Sequence, residues 1–195
     1  IAWGSRLVLD NLGAWDAMVP HAQPILEIRV SDRDAPLFLH YDHKDVGDHP
    51  LGYILENRYI RRALDAAVAD EPGITVLAPA SVTAMERDGT GANLTIDDGR
   101  VLRCSLVVAC DGAMSGVRTM AGIGHRTIAY GQTGIVCTVE YERDHRGIAH
   151  ERFLPGGPFA ILPVPGNRSS LVWTEKDAIA QRVLQLEPAA FLEEI

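Results

Sequence analysis

Residues 106–118 read LVVACDGAMSGVR, an apolar run that delivers Asp111 and Gly112 into a turn, with Arg118 six residues further on. A carboxylate at the end of a strand can accept hydrogen bonds from ribose hydroxyls, and a helix that starts just after it offers backbone N–H groups to a pyrophosphate. Gly112 lets backbone approach a ligand closely. Arg118 can pair with a phosphate or hold Asp111 in place. The same residues would also make an ordinary strand, turn and helix braced by a structural Asp-Arg pair, and the pattern alone leaves both readings open.

Other signatures of chemistry are missing. There is no P-loop, no HExxH and no GxSxG, and the serine of GAMSG stands one place too late for a nucleophile elbow. GTGANL at 89–94 and GIGHRT at 122–127 imitate a dinucleotide fingerprint but lack its third small residue, and the first falls in an expected hairpin where glycines supply positive φ. His40, His43 and His49 lie near Asp42, Asp45 and Asp48, but nothing in the spacing fixes a ligand geometry. That stretch reads as a solvated loop, so neither a metal site nor a nucleophilic catalytic residue is expected.

The elements that must position Asp111 follow from periodicity. Apolar Leu7, Leu9, Leu12, Trp15 and Met18 mark a helical face over 4–18, stopped by Pro20. ILEIRV (25–30) and PLFLHY (36–41) read as strands around the turn SDRDA. A helix begins near Asn57 as N-cap, carries Ile60, Leu64 and Val68 on one stripe, and ends before Pro72-Gly73. ITVLAP and ASVTAMERDG read as strands, DDG at 97–99 as a hairpin turn, and LVVAC as a strand buried on both faces. Beyond Arg118, GQTGIVCTVEYE, AHERFLP, FAILPVP and SSLVWTE predict an antiparallel sheet, followed by a helix broken near Pro188. The expected fold class is mixed α/β, with an α/β portion over 1–122 that includes some sheet strands near 25–41, and an antiparallel β-rich portion over 123–195 ending in a helix.

Composition is that of a globular chain, 47% hydrophobic and 23% charged over 195 residues. A net charge of −8 without a basic stripe argues against a nucleic-acid surface. Three cysteines, Cys104, Cys110 and Cys137, make no even disulfide framework and suit a reducing, cytoplasmic compartment. No apolar run approaches the roughly 18 residues of a spanning helix. The chain enters at IAWGSRL without a preceding strand and stops at AAFLEEI inside a helical pattern, so it is expected to be an internal piece of a longer protein.

LVVACDGAMSGVR resembles the Asp-Gly motif of the FAD-dependent aromatic hydroxylases, matched at Asp111, Gly112, Ser115 and Arg118. GSRLVLDNLGAWD, AQPILEIRVSD, LGYILENRYIRRAL, ERFLPGGPFAILPVP and SSLVWTE resemble, in order, segments of the ubiquinone-biosynthesis hydroxylase branch of that family. The likeness covers nearly the whole chain, and its strength lies in the order of several segments.

That resemblance implies a flavoprotein monooxygenase using FAD, NAD(P)H and O2, with a flavin C4a-hydroperoxide hydroxylating a polyprenylated phenol. It implies a cytoplasmic enzyme with room for peripheral contact at the inner membrane or with a ubiquinone-biosynthesis complex. By the same resemblance, Asp111 and Gly112 would meet the FAD pyrophosphate or ribityl region and bear on NAD(P)H binding, with Arg118 supporting them. Asn57 or Arg58 would lie near the flavin or its phosphates, and Val82 where the backbone passes the adenine. The β-rich stretch from about 123 to 174 would be the substrate-binding sheet over the flavin ring. The family's opening GxGxxG and its later Gly-Asp-Ala-Ala-His segment do not occur, so the isolated chain is expected to hold FAD weakly or not at all. Two alternatives stand beside this reading: a non-catalytic module binding a lipophilic ring or partner, and a flavin hydroxylase for another aromatic compound.

Overall fold

The computed structural model describes residues 1–33 and 35–195; Asp34, in the expected turn SDRDA, lies outside the described residues. The chain forms two compact units, Ile1–Pro72 with Ala129–Ile195, and Gly73–Ile128. This division runs differently from the 1–122 and 123–195 portions drawn from the sequence, because strands from both ends of the chain are laid into one sheet.

In the larger unit, helix α1 (Trp3–Asn11) stops at Gly13, whose φ of +68° suits a residue without a Cβ. The helix is shorter than the 4–18 expected. Trp15 and Met18 nevertheless reach the core from the turns that follow, packing with Ala14 and with Ala63 of helix α2 (Asn57–Ala69). Ile60, Leu64 and Ala67 of α2 recur at the spacing of one helical face and close on the same cluster. Two short strands, β1 (Gln23–Ile25) and β4 (Gly52–Ile54), pair antiparallel beside it.

The larger unit's main sheet has six strands. These are β2 (Glu27–Asp32), β3 (Phe38–Asp42), β8 (Gln132–Glu140), β9 (Ile148–Leu154), β10 (Gly157–Val164) and β11 (Arg168–Lys176), in the order β3-β2-β9-β10-β11-β8. Every pairing is antiparallel except β2 with β9, which is parallel, so the sheet is mixed rather than purely antiparallel. Alternation along the strands gives the sheet two chemically different faces. Phe159, Trp173 and Ile135 lie in one row across β10, β11 and β8. Helices α4 (Asp177–Val183) and α5 (Pro188–Glu194) cover that row through Ala180, Val183 and Phe191.

The smaller unit holds a three-stranded antiparallel meander, β5 (Val82–Asp88), β6 (Gly91–Ile96) and β7 (Val101–Cys104), followed by helix α3 (Gly116–Met120). Asp97-Asp98-Gly99 forms the β6–β7 turn, with Gly99 at φ +87°. At the head of the β5–β6 hairpin, a Cβ on Gly91 would stand 2.2 Å from the Cys104 carbonyl oxygen. Gly91 of GTGANL is therefore there for close backbone packing, whereas a Cβ on Gly89 would meet nothing within 4 Å.

Two expected strands differ. ITVLAP makes no ladder, and LVVAC runs extended into Asp111 without a strand partner among the described residues; Leu106 is 78% and Val108 72% exposed. A continuous apolar run is the mark of a strand covered on both sides, and no neighbouring strand among these residues supplies the cover.

Candidate functional site

Gly112 takes φ +85°, a conformation costly for any residue with a Cβ, and an added Cβ there would meet nothing within 4 Å. The glycine is demanded by backbone conformation, and the turn throws the Asp111 side chain back toward the start of α3. Ser115 Oγ donates to Asp111 Oδ1 at 2.5 Å, and the Val117 backbone N–H donates to Oδ2 at 3.1 Å. Ser115, itself buried, is the N-cap of α3, with its Oγ accepting the Arg118 N–H at 2.9 Å. The Ser115 hydroxyl and then the Val117 N–H hold the Asp111 carboxyl below its ordinary range, so the exposed group is an anion at neutral pH.

Two expectations about this loop change. Arg118 does not pair with Asp111; its Nη2 donates to the Ala113 carbonyl at 2.9 Å, bracing the loop, and its Nε is buried without a partner. The start of α3 does not present free N–H groups to a pyrophosphate either, because Asp111 and Ser115 occupy them. A carboxylate has about four acceptor positions, of which two are used here. What remains is a fixed anionic acceptor facing solvent, suited to sugar-chain hydroxyls and repelling phosphate. Ser115, which matches the resembled motif, sets that chemistry, and its signal in the sequence is the serine three places before Arg118.

Val82 opens β5, half-buried opposite Ile96 at a register shift, and shares neither a hydrogen bond nor a cleft with Asp111. In the same smaller unit, a cleft of about 550 Å³ runs between the β5–β6 hairpin, residues 105–109 and α3, with Arg87 and Arg118 on its wall.

Asn57 and Arg58 belong to the larger unit. Asn57 is not the cap of α2: Glu56 holds that position without a side-chain bond, and Asn57 is the first helical residue. Its exposed amide makes no hydrogen bond among the described residues and faces a cleft of about 360 Å³ between the β4–α2 junction and one face of the six-stranded sheet. Ile54, Val136 and Val164 give this cleft an apolar lining, and Thr138, Ser170 and Arg168 add polar groups. Thr138 and Ser170 are direct partners across β8 and β11, so their hydroxyls share one spot on that face. Arg58 instead donates to Glu56 at 3.0 Å and borders a second groove, which Asn57 also lines, with Arg61, Arg62 and Asp65.

The histidines divide. His40 lies in β3 rather than in a loop, within reach of Glu27 and Asp42. Glu27 already receives Arg29 at 2.8 Å, and Asp42 accepts the Lys44 N–H.

The smaller unit thus carries a meander leading through an Asp-Gly turn into a capped helix, and the larger unit a mixed sheet covered in part on one face by helices. The FAD binding domain model matches residues 5–189, and the chain belongs to that family. It is 51% identical over its whole length to ubiquinone hydroxylase UbiL of Rhodospirillum rubrum, covering 45% of that protein. It is 32% identical to 3-demethoxyubiquinol 3-hydroxylase of Escherichia coli, again over its whole length and 50% of the relative. The chain thus spans about half the length of these curated relatives. The structure of P. aeruginosa PqsL in complex with 2-aminobenzoylacetate superposes with a TM-score of 0.79 at 22% identity, covering 94% of this chain and 51% of that one; this is a likeness of fold. Among the described residues no helix is long and apolar enough to cross a membrane.

Proposed function

We propose that this chain belongs to a flavin-dependent monooxygenase that hydroxylates a polyprenylated phenol in ubiquinone biosynthesis, using NAD(P)H and O2. The observation that carries the reading is the Asp111 carboxylate, fixed by Ser115 and Val117 with acceptor positions left open to solvent. FAD, when bound, supplies the reductive activation of O2 and the transfer of one oxygen atom to the ring.

The chain's own residues have positioning tasks. Asp111 accepts hydroxyls of the ribityl chain, Gly112 makes the turn that aims it, and Arg118 holds the loop backbone through Ala113. The anionic character of Asp111 favours hydroxyls over the pyrophosphate. Asn57, with its free amide at the mouth of the sheet cleft, serves the flavin ring. Arg58, outside that cleft, serves phosphates, and Val82 lies along the adenine. The cleft face of the six-stranded sheet excludes water from the reacting ring through Val136 and Val164. On this reading 1–122 contributes mainly to flavin binding and 123–195 to the phenol side. A substrate with a polyprenyl tail also favours peripheral contact with the inner membrane.

The test is the visible absorption spectrum of the complete protein before and after anaerobic NADPH addition. A flavin band that bleaches supports the reading. No band after incubation with excess FAD overturns it and leaves a non-catalytic binding module.

A further inference from the structure

One carboxyl stands on the cleft face of the six-stranded sheet without a partner. Strand register sets Glu151 of β9 beside Val30 of β2 and Ala160 of β10, and continues the row through Val172 of β11 to Val136 of β8. Val136 lines the Asn57 cleft, so by alternation the Glu151 side chain belongs to that same face. The next row along the strands holds Leu162, Ser170 and Thr138. At about 4.8 Å from strand to strand, Glu151 stands roughly 10 Å from Val172 and roughly 14 Å from Val136.

Glu151 is half-buried, and its carboxyl takes no hydrogen bond and no ion pair among the described residues. Burial pushes it up, and no charge pulls it back. The strand at Glu151 also borders a cleft on the opposite face, with His150 and Arg152. An arginine in reach would draw the carboxyl down, and none does, which agrees with a side chain turned to the Asn57 face. The other titratable groups on its face stand apart. Asp32 lies one row on, 4.0 Å from Arg33, and Tyr41 lies two strands over on β3. Arg168, Glu140 and Lys176 lie at the ends of β8 and β11. Strands β1 and β4, which lie against β10, bring only Tyr53, and that ring packs on Trp15. An ionisable group left unpaired among apolar neighbours is costly for the fold alone.

We propose that Glu151 accepts the hydrogen bond of the substrate's phenolic hydroxyl and, during oxygen transfer, takes its proton. The ring lies over Ala160 and Val172, between Glu151 and the hydroxyls of Thr138 and Ser170. As the ring gives electron density to the incoming oxygen, its own hydroxyl becomes more acidic. The O–H bond then breaks, its electron pair stays with the phenol oxygen, and the proton moves to the carboxylate. Burial serves this step, because a base works best when its pKa approaches the operating pH. The inference rests on the flavin and phenol reading above.

Hydroxylation of 2-prenylphenol by the complete protein, followed across the acid range, tests it. The carboxyl must be ionised to act, so kcat/KM should fall about tenfold per pH unit below its raised pKa. Glu151→Gln keeps the shape and a hydrogen-bond acceptor but cannot take a proton. It should lose about a hundredfold in kcat, with KM within a few-fold, and its acid limb should vanish. Glu151→Asp should recover part of the rate and keep the limb. A second measurement needs no variant to fold: the parent should bind 2-prenylphenol about tenfold more tightly than its methyl ether, which has no proton to offer a charged acceptor. An acid limb that survives in Glu151→Gln, a kcat there within about threefold of the parent, or equal binding of phenol and ether overturns this inference. A flavin band that bleaches with NADPH would still leave the flavoenzyme reading standing, whereas no flavin band overturns both.

Discussion

Ser115 is bonded to both ends of the turn it sits in, donating its hydroxyl to Asp111 and accepting the Arg118 backbone N–H. One side chain thus caps α3 and fixes the carboxylate that the cofactor reading depends on. Ser115→Ala should cost about 1 kcal/mol as a lost N-cap, measurable by urea unfolding. It should also let the Asp111 pKa rise toward its ordinary value. The folded-state value is depressed, so the contribution to stability is present above the unfolded pKa and lost as pH falls through the folded one. Carboxyl carbon NMR across the acid range should show Asp111 of the variant titrating at higher pH than in the parent. Unchanged titration would mean that Ser115 does not set the charge.

Gly112 and Arg118 separate conformation from contact. Gly112→Ala introduces no clash but forces a Cβ to φ +85°, a cost of about 1–2 kcal/mol. Arg118→Ala leaves the glycine conformation alone and removes the bond to the Ala113 carbonyl. Both should weaken flavin retention by the complete protein, read as the fraction of FAD lost on gel filtration. Only the glycine variant should also lower the thermal midpoint by the amount its backbone strain predicts.

The meander offers a sharper structural contrast. Gly91→Ala would press a Cβ to 2.2 Å from the Cys104 backbone oxygen, while Gly89→Ala, two residues earlier, would meet nothing within 4 Å. The first should destabilise the smaller unit by several kcal/mol, as over-packing against backbone does; the second should stay within about 1 kcal/mol of the parent. Hydrogen exchange of the β6 and β7 amides reads the difference. Equal effects of the two would return GTGANL to consideration as a binding loop.

How far the sequence reached depended on whether each segment's cover came from nearby chain. FAILPVP and SSLVWTE were legible because alternation survives when one face packs on α4 and the other lines a cleft. The hairpin at DDG was legible from its turn chemistry. The apolarity of LVVAC alone predicts a doubly buried strand, yet Leu106 and Val108 face solvent among the described residues. The Asn57 side chain suits an N-cap, but Glu56 precedes it with extended backbone and the helix starts at Asn57 itself, one residue earlier than a cap there would allow. At Asp111 the residue and the turn were visible, whereas its partner was not: arginine was the obvious counter-ion, and a nearer hydroxyl and helix amide took the carboxylate instead. Met18 shows the converse, a core residue found by helical spacing although it lies beyond the helix.

The position of Asn57 gives the last prediction. An Asn that caps a helix costs about 1 kcal/mol when replaced by Ala. Asn57 instead stands at the first helical position with its amide unbonded at the cleft that also holds Thr138 and Ser170. Asn57→Ala should therefore leave the urea midpoint of the complete protein nearly unchanged, within about 0.5 kcal/mol, since a surface change that breaks no bond is nearly neutral. Its flavin should be bound several-fold more weakly, or show a shifted visible maximum, because the amide would be missing from the ring's surroundings. A loss of stability with an unchanged flavin spectrum would place Asn57 in the helix's own architecture and remove it from the cofactor site.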